Sequence, residues 1–251
     1  MIAQSSTTAT PSQPPFKKLT FEEYRVYRGE PDVLYELEKG QLIPMPSPSI
    51  LHERICEFLV YKLQRYLTAE QIPLVTKTNL GVRTEEDSSR IPDVVVCTQN
   101  LWETVAQRPG SGILDLEETP RVIIEVVGED RRRDYVIKRA EYEQAGVPEY
   151  WIADAKENKR RVRAFALVEG EEGYVQRDYG EGENIVSVQF PNLVLSVKEI
   201  LNPPLVDELI RVEQNQLQQL QQLQQQLIEE RDRATRLAAR LRELNLDPDT
   251  L

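Results

Sequence analysis

The chain has 251 residues, 40% of them hydrophobic and 29% charged, a balance that is typical of a folded globular protein and excludes a wholly disordered one. No stretch approaches the roughly 18 consecutive apolar residues that a membrane span requires. A net charge of −11 disfavours broad electrostatic binding of nucleic acid, unless basic residues are concentrated locally, as at residues 131–133. Two scattered cysteines, Cys56 and Cys97, predict neither a disulfide framework nor, with a single histidine, a zinc site.

The N-terminal segment is expected to lack stable structure. Residues 1–18 are rich in Ser, Thr and Pro and show no periodicity, so we interpret them as a disordered leader. They have neither the basic start nor the apolar core of a secretory signal, which favours a cytoplasmic location. Thr20 then provides an N-cap for a short helix that ends near Gly29.

A hairpin and a longer helix are predicted next. Residues 33–45 alternate apolar and polar side chains around Lys39-Gly40, which is typical of a β-hairpin. Residues 51–67 carry apolar side chains at helical spacing, which predicts a helix with one buried face.

The rest of the first 204 residues alternates strands with one further helix. Residues 131–146 form that helix, which Gly146 closes, and residues 98–120 form a long polar loop. Several runs are rich in β-branched or alternating residues and predict strands: 74–84, 93–97, 121–127, 149–154, 161–167, 174–179 and 185–188. The pattern predicts an α/β fold with a mixed β-sheet flanked by helices.

Residues 205–246 change composition abruptly and predict a glutamine-rich coiled coil. The segment has one apolar seam with spacings of three, four and seven, formed by leucines 217, 220, 223, 227, 237, 241 and 244. Gln224 and Arg231 also fall on this seam, so the coiled coil is imperfect. The alternative is a single solvated helix, but the seam favours self-association into a homo-oligomer.

Two carboxylates in strongly apolar strands are the candidate chemical site. Asp93 opens the run 93–97, and Glu125 lies in the middle of the run 121–127. A carboxylate among such residues is costly to bury unless a cation meets it. If the strands are neighbours, both side chains and the main-chain oxygen of Val126 could bind Mg²⁺ or Mn²⁺. The alternative is a structural ion pair of Glu125 with Lys or Arg.

Three segments together resemble the Uma-two family of restriction-type endonucleases, which belongs to the PD-(D/E)xK nuclease superfamily. They are ELEKGQLIPMPSPS followed by His52, then RIPDVVV, then the run from VIIEVV to EYWIAD. The resemblance implies a restriction-endonuclease-like domain, which we place at residues 19–204. Asp93 matches the aspartate of the PD element, and Glu125 matches the acidic residue of the second element.

In the PD-(D/E)xK pattern a lysine follows the acidic residue of the second element by two positions, and this chain has no lysine there. Val127 occupies its place, and the resemblance implies that Lys138 on the following helix replaces it. Lys138, Tyr142 and Ala145 share one helical stripe, which could bring the ammonium group over the strand ends. The alternative is a solvated lysine on a charged helix.

Two further residues match family positions. The resemblance implies that Glu36 extends the metal shell, whereas the alternative is an outward strand carboxylate. His52 could contact a phosphate or hold Glu36, or could have a structural role at a helix end. The sequence Gly-Glu-Asp after the second strand departs from the family pattern and adds Glu129 and Asp130 near the site.

The sequence supports two functional hypotheses. The first is a Mg²⁺-dependent endodeoxyribonuclease with Asp93, Glu125 and Lys138 as catalytic residues, acting on DNA through metal-activated water. The second is a catalytically inactive nuclease fold that serves as a binding or assembly module and oligomerises through its coiled coil. The acidic charge and the displaced lysine favour the second hypothesis, and the presence of all three residues favours the first.

Overall fold

The computed structural model describes residues 18–243, which form two compact units divided between Pro203 and Pro204. The predicted leader, apart from its last residue, and residues 244–246 of the predicted coiled coil lie outside the described range. The first unit contains the helices α1 (Phe21–Arg25), α2 (Ile50–Ala69), α3 (Gln99–Ala106), α4 (Arg139–Gln144) and α5 (Val197–Leu201), a π-helix (Arg133–Lys138) and a short 3₁₀ helix (Glu157–Lys159). None of the helices in the described range is both long enough and apolar enough to cross a membrane.

The strands of residues 18–203 form two mixed sheets and a short ribbon. They are β1 (Tyr35–Glu38), β2 (Gln41–Pro44), β3 (Leu74–Lys77), β4 (Gly81–Glu85), β5 (Ser88–Arg90), β6 (Val94–Thr98), β7 (Ile113–Leu114), β8 (Val122–Val126), β9 (Glu149–Asp154), β10 (Arg161–Leu167), β11 (Tyr174–Tyr179), β12 (Asn184–Ile185) and β13 (Leu195–Ser196). One sheet has the order β11-β10-β9-β8-β6-β3, with β8 and β9 parallel; the other has the order β2-β1-β5-β4-β7. The predicted α/β class is confirmed.

The centre of the larger sheet forms the core. Every residue of β8 is buried, as are the four apolar residues of β6. Helix α2 packs on this sheet and buries most of the predicted apolar face, namely Ile55, Phe58, Leu59 and Leu63, together with Leu67. Leu51, at the start of the predicted face, is exposed. Strands β6 and β8 are antiparallel neighbours with Val94 opposite Ile124, so one further step of this register places Asp93 opposite Glu125.

The predicted hairpin is confirmed by its turn geometry. Strands β1 and β2 pair in antiparallel register, and Lys39 and Gly40 both adopt positive φ, 49° and 80°. Positive φ at both turn residues matches the right-handed twist of the flanking strands. The hairpin therefore fixes which side chains of β1 face the larger sheet, Glu36 among them.

Residues 98–120 are not the long loop that their polarity indicated. The Thr98 side chain accepts a hydrogen bond from the Leu101 amide and starts helix α3, and Ile113–Leu114 then forms β7. Val105 of α3 is enclosed in the core, and Leu101 and Trp102 pack against the same cluster. The loop prediction was wrong because a helix of eight residues shows too little periodicity to stand out.

The segment 131–146 is helical, as predicted, but not uniformly so. It passes through the π-helix Arg133–Lys138 before α4, and Gly146 ends it with φ of 71°. A π-turn holds an extra residue, and short π segments are frequent at functional sites. Here the wider turn lets Asp134 face the sheet centre while the Tyr135 hydroxyl donates to Asp154 at 2.9 Å.

Within the described range, the second unit forms one long helix, α6 (Val206–Glu243), with 38 residues. The predicted long C-terminal helix is confirmed over this range. Its leucines are largely solvent-exposed in the single chain, including Leu217, Leu220, Leu223, Leu227 and Leu237.

Candidate active site

Glu125 is a buried carboxylate in a central strand of the larger sheet. It is 3% exposed, and its Oε1 accepts hydrogen bonds from Lys138 Nζ at 2.9 Å and from the Tyr142 hydroxyl at 2.8 Å. Burial raises the pKa of Glu125 well above its ordinary value, and the neighbouring carboxylates, Asp93 first among them, raise it further. Lys138 opposes this increase without overcoming it.

Asp93 lies just before β6 and faces the end of β8. Its Oδ2 accepts the amide hydrogen of Val126 at 2.7 Å and lies 3.2 Å from His52 Nε2. The amide that binds Asp93 therefore belongs to the residue directly after Glu125. This short link, together with the strand register, makes Asp93 and Glu125 neighbours across the strand pair, where the charge of Asp93 acts on Glu125.

Lys138 comes from the π-helix and points into the same centre. It is 6% exposed, and its Nζ also lies 3.3 Å from Glu36 Oε1 and 3.8 Å from Asp134 Oδ1. Burial alone would lower the pKa of Lys138, but the carboxylates of Glu125, Glu36 and Asp134 raise it above its ordinary value. Lys138 therefore carries a positive charge in the metal-free protein and is not a solvated surface lysine.

Asp134 is a residue of this centre that the sequence did not single out. It lies one turn before Lys138 and is buried. Burial, reinforced by the charges of Asp93 and Glu36, raises the pKa of Asp134 to about 6 against the opposing effect of Lys138. A signal for it was present in the sequence, since the helical stripe of Lys138 continues back to Asp134.

Glu36 reaches the centre from the hairpin and is neutralised by cations. Its Oε2 lies 2.6 Å from Arg133 and 3.3 Å from Arg90, and its Oε1 accepts the Ile91 amide hydrogen at 3.2 Å. Burial would raise the pKa of Glu36, but Lys138, Arg90 and Arg133 together lower it below its ordinary value. The outward strand position that was the alternative for Glu36 is excluded.

Arg90 supports this arrangement and was not identified from the sequence. Its side chain is fully buried and contacts Glu141 through two nitrogens, at 2.6 and 2.5 Å, and Glu38 through a third at 2.9 Å. A bidentate guanidinium–carboxylate pair fixes geometry strongly. The pair joins β5 to α4, so it fixes the position of the helix that follows Lys138. The glutamates that Arg90 contacts are about fifty residues away along the chain, so no local sequence pattern indicates these contacts.

His52 faces Asp93, not Glu36. It lies in the first turn of α2, where Ser49 caps the helix, and its Nδ1 is 3.6 Å from Cys56 Sγ. Burial alone would lower the pKa of His52, but its hydrogen bond to Asp93 and the charge of that carboxylate raise it. One ligand atom from each of His52, Cys56 and Asp93 lies within 4.8 Å of the others. The sequence predicted no zinc site from one histidine and two scattered cysteines, and the fold places one of these cysteines, Cys56, beside His52 and Asp93.

The donor set fits a hard divalent cation. Four carboxylates, those of Glu36, Asp93, Glu125 and Asp134, act on one ammonium group, and burial, reinforced by repulsion among the carboxylates, raises the pKa of Glu125 and Asp134. Carboxylate and carbonyl oxygens are the preferred ligands of Mg²⁺ and Mn²⁺. A cation bound between Asp93 and Glu125 would offset this repulsion.

The fold and this acidic centre define a restriction-endonuclease-like α/β protein. Residues 21–198 match the Uma2 family, described as "Putative restriction endonuclease", and the chain belongs to this family. In fold it is similar to the crystal structure of a "putative nuclease belonging to DUF820" from Anabaena variabilis ATCC 29413, with a TM-score of 0.55 and 18% sequence identity. That alignment covers 73% of this chain and 98% of the other. No curated protein matches the chain.

Proposed function

We propose that the chain is a metal-dependent endodeoxyribonuclease that hydrolyses DNA phosphodiester bonds with metal-activated water. The observation that carries the proposal is the meeting of Asp93, Glu125 and Lys138 at the ends of two paired strands. Membership of a family described as a restriction endonuclease supports the nuclease assignment. The same membership supports DNA as the substrate.

Asp93, Glu125 and the main-chain oxygen of Val126 would hold the ion, which we assign as Mg²⁺ or Mn²⁺. When bound, such an ion polarises the scissile phosphate and makes a water molecule acidic enough to supply the nucleophile. Val126 already donates its amide to Asp93, which orients that carboxylate toward the strand end.

Lys138 would act as a fixed positive charge and hydrogen-bond donor. Its raised pKa keeps it protonated, so we assign it to orient the attacking water or to stabilise negative charge on the phosphate, and not to abstract a proton. Glu36 positions Lys138 and Arg133, and His52 positions Asp93. Glu36 and His52 would therefore affect catalysis only through the residues that they position.

A plasmid-nicking assay with Mg²⁺ or Mn²⁺ tests the proposal. Asp93→Asn and Glu125→Gln remove the charges that hold the ion, and we expect each to abolish cleavage. Lys138→Met removes the fixed charge, and we expect a loss on the order of 10²–10³-fold, similar to the loss of one preorganised donor.

Two matched controls accompany these variants. Asp232→Asn and Lys198→Met make the same chemical changes at exposed positions outside the site, and we expect both to cleave like the unmodified chain. Equal nicking by all five variants would assign the activity to a contaminant. Absence of nicking by the unmodified chain, together with intact folding, would favour the inactive assembly module.

We also propose that α6 joins copies of the chain in a coiled coil. The leucines at 220, 223, 227, 237 and 241 follow alternating three- and four-residue steps, with Ala234 completing the seam and Glu230 interrupting it. In this register Gln224 and Arg231 lie next to the seam, and not on it as first predicted from the leucine spacing. Leu227 is 71% exposed in the single chain, although a mostly polar helix gains stability chiefly from burying such a seam.

Sedimentation of two neighbouring variants of the full chain tests this association. Leu227→Arg places a charge in the seam, whereas Ile228→Arg makes a similar change on the adjacent face, where Ile228 is also exposed. We expect the mass to fall to that of one chain in the first variant and to stay that of the oligomer in the second. A chain ending at residue 204 should also sediment as one copy. Identical masses for all of them would contradict the proposal.

A further inference from the structure

The thiol of Cys56 stands beside the candidate active site, and the hydrolytic proposal does not use it. His52 and Cys56 are four residues apart on α2, so one face of the helix carries both side chains toward Asp93. Magnesium and manganese prefer oxygen ligands, so a thiol at this place adds nothing to their binding. An imidazole, a thiol and a carboxylate together are instead the ligand types of zinc.

The distances also suit a zinc-like ion. Ligands at about 2.1 Å (nitrogen) and 2.3 Å (sulfur) in a tetrahedral arrangement are about 3.6 Å apart. His52 Nδ1 lies 3.6 Å from Cys56 Sγ, its Nε2 lies 3.2 Å from Asp93 Oδ2, and one ligand atom of each residue lies within 4.8 Å of the others. A bound ion would use one of the two ring nitrogens, so the imidazole has to turn about its Cβ–Cγ bond until that nitrogen faces both partners. Three protein ligands with one open position are a frequent arrangement for bound zinc.

We infer that His52, Cys56 and Asp93 form a second metal site, selective for a thiophilic divalent cation such as Zn²⁺, which competes with the hard-ion site for Asp93. Binding forms a metal–sulfur bond and releases the thiol proton and any imidazolium proton to solvent. The ion therefore acts as an inhibitor, because it withdraws Asp93 from the Mg²⁺ ligand set. The inhibition rests on the proposed nuclease function; the binding does not.

Cobalt(II) is the probe for binding, because a thiolate ligand gives it an intense near-ultraviolet charge-transfer band. The chain supplies a matched pair of variants, since Cys56 lies beside His52 while Cys97 is buried in β6 within the core. We expect the band at one equivalent in the unmodified chain and in Cys97→Ala, and its displacement by Zn²⁺. We expect no band in Cys56→Ala, with Zn²⁺ affinity reduced by more than the roughly 10–100-fold that loss of an outer-shell partner costs.

Persistence of the band in Cys56→Ala, or its absence from the unmodified chain, would overturn the inference. If Cys97→Ala fails to fold, Cys97→Val, which keeps an apolar side chain of similar size, replaces it. Inhibition is then measured as the Zn²⁺ concentration that halves each protein's own Mg²⁺-dependent rate, and we expect this concentration to rise in Cys56→Ala. A cobalt band in a protein that cleaves nothing would retain the metal site and reject only the nuclease proposal.

Discussion

Glu36 and Glu125 are buried to a similar degree, yet their pKa values shift in opposite directions. They are 2% and 3% exposed, and burial raises the pKa of each. Glu36 faces three cationic side chains, whereas Glu125 faces one ammonium group and three other carboxylates. At a similar degree of burial, the ionised carboxylate is therefore favoured at Glu36, whereas the protonated form is favoured at Glu125 unless a further cation offsets the charge.

This difference predicts how metal binding depends on pH. The pKa values of Asp134 (raised to about 6) and of Glu125 are above their ordinary values. Ionisation of these two groups at neutral pH therefore lowers the free energy of unfolding of the metal-free protein. The free energy of unfolding rises again as the pH falls through those pKa values, because the groups take up protons. Protons and the cation compete for the same oxygens. We therefore expect Mn²⁺ to raise the melting temperature clearly at about pH 8 and hardly at all at about pH 5.

The control for this measurement removes one of the titrating groups. Asp134→Asn should raise the metal-free melting temperature at about pH 8 and flatten its dependence on pH, because the ionisable group is gone. A metal-dependent increase of equal size at both pH values would show that the ion binds elsewhere.

At the scale of elements, Glu149 binds the irregular segment 186–190 to the larger sheet through hydrogen bonds. This carboxylate is 1% exposed at the start of β9 and accepts hydrogen bonds from the Trp151 indole, the Ser187 hydroxyl and the amides of Val188 and Gln189. Glu149→Ala would leave these donors without a partner. We expect a loss of about 3 kcal/mol or more in the free energy of unfolding, measured by urea denaturation.

An exposed glutamate provides the comparison. Glu103 lies on α3 and accepts one hydrogen bond from Gln99, so Glu103→Ala should change the free energy of unfolding by less than about 1 kcal/mol. Similar losses in the two variants would mean that Glu149 does not hold the segment.

The elements that the sequence predicted are those whose causes are local. The Lys39-Gly40 turn, the Thr20 cap and the buried face of α2 each depend on residues close together in the chain. The π-helix Arg133–Lys138 depends instead on what the sheet offers to Asp134 and Tyr135, so its extra residue per turn leaves no pattern. Helix α3 was missed because a helix of eight residues with a single buried side chain is too short to show a helical periodicity.

The residues of the candidate site also differ in whether the sequence alone could identify them. Asp93 and Glu125 could be identified because a carboxylate within an apolar strand is costly and therefore conspicuous. Lys138 required the family resemblance, since a lysine on a charged helix is usually exposed. Arg90 and the His52–Cys56 pair could not be assigned, because their roles depend on contacts with Glu141 and Asp93 that only the folded chain creates.

At the scale of the whole molecule, the net charge of −11 conceals a local concentration of arginines. The guanidinium groups of Arg131, Arg161 and Arg163 lie 5.0, 5.6 and 5.2 Å from the centre of the Tyr135 ring. Arg131 belongs to the segment that follows β8, and Tyr135 precedes Lys138 by three residues, so this cluster adjoins the candidate active site. Asp178 pairs with Arg161 at 3.2 Å and Arg163 at 2.5 Å, and it is 38% exposed.

If DNA phosphates bind this arginine cluster, neutralising Asp178 should tighten binding. We expect Asp178→Asn to lower the Kd for duplex DNA, because the carboxylate no longer competes with phosphate for Arg161 and Arg163. Arg163→Gln should raise the Kd and reduce the slope of log K against log salt by about 1. Both are measured in a Glu125→Gln background, which keeps the DNA intact. Asp232→Asn changes the net charge equally, but on α6. If it tightens binding as much as Asp178→Asn does, total charge governs affinity and the cluster does not.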